Sequence, residues 1–93
     1  MLQFKSSRQL LHYLKENSPD TKLCTGFNSA LVGVTEAFGG LVAVYDKEKI
    51  LNKLEINMSR EDAEEYFDYN IVGAYVGSLT PVYLVGMKKD KNV

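Results

Sequence analysis

His12, between Leu11 and Tyr13, and Cys24, after Leu23, are the only histidine and the only cysteine of the chain. They are its first candidates for a base and a nucleophile. A cysteine nucleophile needs a base within hydrogen-bond reach, and the spacing of these two does not by itself bring them together. A lone cysteine more often behaves as a small buried hydrophobe than as a reactive thiol, and that is the expectation for Cys24. Ser29 lacks the surrounding glycines of a nucleophile elbow. Gly33 and the Gly39-Gly40 pair have neither the spacing nor the following Lys-Ser/Thr of a phosphate-binding loop. With one Cys there is no internal disulfide and no cysteine cluster for zinc. The expectation is a non-enzymatic protein with no catalytic residues, no metal and no cofactor.

The carboxylates are more suggestive. Residues 60–69 carry Glu61, Asp62, Glu64, Glu65 and Asp68 against the single Arg60, a local charge of −4. Carboxylate oxygens suit hard cations, but nothing here has the spacing of a calcium loop and a second set of ligands is missing. An acidic helix face is usually solvated. Its other use is to steer toward a positively charged protein surface, which makes Glu61, Glu64, Glu65 and Asp68 candidates for partner binding. Tyr66, Phe67 and Tyr69 are interleaved with these acids. Single-strand binders interleave aromatics with Lys and Arg instead, so direct nucleic-acid binding is disfavoured.

The element that must position these groups is a helix opened by Ser59 as N-cap, expected from Arg60 to Val76 and ending at Gly77. At about 100° per residue, Ala63, Tyr66, Phe67, Asn70, Ile71 and Ala74 fall on one side and the acids on the other. Asn70 sits in the middle of that apolar side, where an unpaired amide costs about 1–3 kcal/mol. It either bonds a backbone edge or, with Tyr66 and Tyr83, lines a small-ligand pocket. Gly73 and Gly77 share a stripe beside Val72 and Val76, which suggests a second contact surface, such as that of a homodimer.

Elsewhere, Ser6 or Ser7 caps a first helix that carries Leu10, Leu11 and Leu14 and stops at Asn17-Ser18-Pro19-Asp20. Asn28 to Val34 reads as helix rather than strand. Leu41–Tyr45 reads as a buried strand after the Gly39-Gly40 break. Asp46 caps a short helix from Lys47 to about Glu55, and Thr80–Val85 forms a second strand opened by Pro81. Two strands alone are marginal, so a third is expected from Phe4 or from Leu23-Cys24. The fold class is α+β: a two- or three-stranded sheet packed against three to four helices.

Ninety-three residues make a single domain, 1–93, with a polar tail from about residue 87 expected to be disordered. A chain of this size buries only about 60% of its unfolded surface, so the core is small. Twelve acids against eleven bases leave a net charge of −1, which excludes a generally basic nucleic-acid or anionic-membrane binder. No apolar run reaches the ~18–20 residues that span a bilayer, and the first residues lack a signal peptide's apolar region. The expectation is a soluble, intracellular protein.

Several stretches carry a family resemblance. They are Val42-Ala43-Val44-Tyr45-Asp46 with Lys49-Ile50-Leu51, then Met58-Ser59-Arg60-Glu61-Asp62-Ala63-Glu64-Glu65-Tyr66-Phe67-Asp68-Tyr69-Asn70. Gly73-Ala74-Tyr75-Val76-Gly77 and Thr80-Pro81-Val82-Tyr83 complete the set. Over roughly residues 28–85 the chain resembles an uncharacterised family of short proteins encoded by tailed phages and prophages. The resemblance implies a phage protein in the cytoplasm of an infected bacterium, with a host protein as partner. Small phage proteins of this kind often inhibit a host enzyme or defence system, as anti-CRISPR proteins do, or sequester signalling nucleotides. Residues 1–27 lie outside the resemblance.

Overall fold

A computed structural model describes residues 5–37, 39–74 and 77–86. A strand from Phe4, a helix end at Val76 and the tail from about residue 87 lie outside them.

Helix α1 spans Ser7–Asn17, with the Ser6 hydroxyl accepting from the Gln9 amide. Its buried positions, Leu10 and Leu14, are one turn apart and face the core. A single 3₁₀ turn, Asn28–Ala30, leads directly into strand β1, Leu31–Ala37. The expected helix over Asn28–Val34 is therefore corrected: all but its first turn is strand. Val32, Val34 and Thr35 are β-branched, stiff at χ1 and suited to a pleated surface, and β2 lies alongside to pair with them. Strand β1 is also the sheet's third strand, in place of Leu23-Cys24, which sits in a loop.

Strand β2, Gly40–Asp46, pairs antiparallel with β1, from Ala37↔Gly40 to Leu31↔Tyr45, with a bulge between Leu31 and Gly33. Gly39 in the intervening turn has φ +80°, a left-handed conformation that glycine adopts without a Cβ clash. Strand β3, Val82–Leu84, pairs parallel with the far side of β2. The order β1-β2-β3 makes β2 the centre of a mixed sheet in a small α+β fold.

Parallel pairing requires a crossover, and here helices supply it. Helix α2, Lys47–Leu54, starts at Asp46, whose carboxylate accepts from the Glu48 and Lys49 amides. Helix α3, Arg60–Tyr66, starts at Ser59, whose hydroxyl accepts from the Asp62 amide at 3.1 Å. A π-helical segment, Phe67–Val72, follows and ends at Gly73. The expected continuous helix from Arg60 to Val76 is thus corrected: after Tyr66 it is wound more loosely, and that loose segment ends at Val72, before Gly73. Gly77, with φ +119°, lies outside any helix, so no Gly73–Gly77 stripe forms.

Val42, Ala43 and Tyr45 are all 0% exposed. Strand β2 is thereby covered on one face at Ala43 and Tyr45 and on the other at Val42, whereas Val44 on that second face stays half-buried. Ala43 and Tyr45 join Leu10, Leu14, Leu31, Ile50, Leu51, Ala63 and Phe67 in one core between the sheet and the helices. The loop before β1 is tied to the sheet by Thr21, the chain's buried polar residue among those described. Its hydroxyl donates to the Leu41 carbonyl at 2.7 Å, leaving the Ser18 hydroxyl to donate to Thr21 Oγ1 at 2.6 Å.

Candidate interaction surface

Helix α3 and the π segment present one surface whose composition follows from how they wind. Ala63 and Phe67 are buried, and Ile71 is half-buried against the core. These positions are four apart and form a narrow inner stripe. Tyr66 is 42% exposed and Asn70 is exposed too, so the expectation that both lie on an apolar side is corrected. Tyr66 lies in α3, before the π turn begins; for Asn70 the cause is that turn. Its i→i+5 hydrogen bond, from the Gly73 amide to the Asp68 carbonyl at 3.1 Å, widens the helix and rotates the residues after Phe67 relative to an α-helical path. Asn70 reaches solvent and needs no buried partner.

The glycine at 73 is what lets the segment close. A Cβ there would lie 2.6 Å from the Tyr69 carbonyl oxygen, closer than a Cβ can approach backbone.

Glu61, Glu64, Glu65 and Asp68 are all exposed. They are not equivalent. Arg60 forms a fork with the Glu48 carboxylate of α2, at 2.5 and 2.9 Å, and lies 3.5 Å from Glu55 and from Glu64. These acids, Glu48 first, push the guanidinium pKa further up. Glu64 is therefore turned into an ion cluster that holds α3 against α2. Glu61 and Glu65, four apart, share one helix face, and the exposed Asp68 carries the acidic row into the π segment. Tyr69, 75% exposed, and Val72, 49% exposed, continue that row. Val76 lies outside the described residues.

Tyr83 belongs to a different setting. It is half-buried, its ring 5.1 Å from Phe67 in an edge-on arrangement and 6.2 Å from Tyr45. Its hydroxyl lies near the Cys24 thiol, and burial is the main cause pushing the Tyr83 pKa up. Burial likewise raises Cys24 above its ordinary 9.0, with the Tyr83 hydroxyl opposing. The fully buried Tyr45 has its pKa raised for the same reason, and its hydroxyl accepts from the Cys24 amide at 2.8 Å. Phe67 is the aromatic whose ring meets Tyr83, while Tyr66 and Asn70 are exposed.

This cluster of Cys24, Tyr45 and Tyr83 was not legible in the sequence, because three distant segments supply it. Chemically it is quiet. A thiol whose pKa is raised carries little thiolate at neutral pH and is a poor nucleophile. His12 stands apart on α1, its side chain 76% exposed, with Nε2 3.9 Å from Glu16. Ser29 is exposed in the 3₁₀ turn. Among the described residues there is no group of three or more His, Cys, Asp or Glu that could hold a metal ion. Among them too, no helix is long and apolar enough to cross a membrane.

Comparisons with known protein families, with curated proteins and with solved structures find no match for this chain.

Proposed function

We propose that this chain is a small, non-enzymatic, phage-encoded interaction protein that inhibits a bacterial host enzyme or defence system, in the manner of an anti-CRISPR protein. It seats the outer row of α3 and the π segment on a basic patch of its partner in the host cytoplasm. The observation that carries the reading is the continuity of Glu61, Glu65 and Asp68 with the exposed Tyr69 and Val72. Acids of one sign speed encounter with a basic surface. An exposed tyrosine beside them offers the large, rigid contact that dominates many interfaces. The phage origin rests on the family resemblance alone.

The competing idea, a small-ligand or nucleotide-sequestering protein, requires Tyr66, Asn70 and Tyr83 to converge. Two of these are exposed, and the third is half-buried against Phe67 and Tyr45.

The test is affinity capture of partners from bacterial lysate, followed by measured binding kinetics for the captured protein. Reversal of the row (Glu61→Lys, Glu65→Lys, Asp68→Lys) is expected to slow association about tenfold or more at low salt. Tyr69→Ala is expected to speed dissociation. Unchanged kinetics in both variants, with folding intact by circular dichroism, would overturn the proposal. Stabilisation of the free protein by a nucleotide in a thermal-shift assay would favour the competing idea.

A further inference from the structure

We draw no further inference here: the strongest candidate, the outer face of the three-stranded sheet where Gly33, Thr35, Val44, Val82 and Leu84 are half-buried or exposed beside the β1 edge, is an unpartnered surface, and nothing in the structure shows what covers it.

Discussion

The Tyr45 hydroxyl accepts a hydrogen bond from the backbone amide of Cys24 at 2.8 Å, joining the loop before β1 to the centre of the sheet. Tyr45 is the largest of the fully buried side chains, and its hydroxyl ends this bond in a part-buried setting. Cys24 in turn neighbours Tyr83. Three segments that are far apart in the chain thereby meet.

Removing that hydroxyl alone tests its weight. Tyr45→Phe keeps the ring packing and leaves the Cys24 amide without its partner, which costs about 1–3 kcal/mol. The expected result in urea denaturation is a lower midpoint at an unchanged m-value. An unchanged midpoint would show that the amide finds another acceptor.

Alkaline pH should destabilise the fold through the same cluster. Cys24, Tyr45 and Tyr83 all have raised pKa values in the folded state. As pH rises past the ordinary 9.0 of Cys and 10.0 of Tyr, the unfolded chain releases protons that the folded one still holds. Fewer protons on the unfolded state means that stability falls with rising pH. Melting temperature should be level with respect to these groups below about pH 8 and fall above it. Cys24→Ala should make the fall shallower.

The thiol itself should be sluggish. Alkylation of Cys24 by iodoacetamide at pH 8 is expected to be slow in the native protein and fast in urea, since burial disfavours the thiolate. Equal rates in the two states would place Cys24 in an open, reactive setting and contradict the structure.

The π turn has its own reporter. Gly73→Ala forces a Cβ against the Tyr69 carbonyl and should cost about 1–3 kcal/mol, as overpacking does. If the variant instead matches the parent in thermal melts, the segment closes as an ordinary α-helix, and Asn70 returns to the inner side.

Arg60→Ala should lower the melting temperature by an amount that shrinks as salt is added. The Arg60 cluster with Glu48, Glu55 and Glu64 is exposed and therefore screened. An effect insensitive to salt would mean that the arginine acts through packing of its stem.

Much of this fold is written locally. Ser6, Asp46 and Ser59 cap the three α-helices at the positions their side chains select, and Leu41–Tyr45 lies within a strand as its apolar run demands. Each of these signals acts within a few residues, so neighbouring sequence suffices to read it. The acids of residues 60–69 were legible in the same way, although their division between an Arg60 cluster and an outer row was not.

Pairing and burial were decided elsewhere. Asn28–Val34 has a composition open to helix or strand, and β2 settles it by offering a partner. Asn70 looks inward on an ideal helix, yet the i→i+5 bond made possible by Gly73 turns it outward. The net charge and the caps belong to the sequence alone, because they depend on residue type and near neighbours. The exposed row on α3 and the half-buried meeting of Cys24 and Tyr83 beside Tyr45 belong to the tertiary structure, because only packing determines which side of an element meets water.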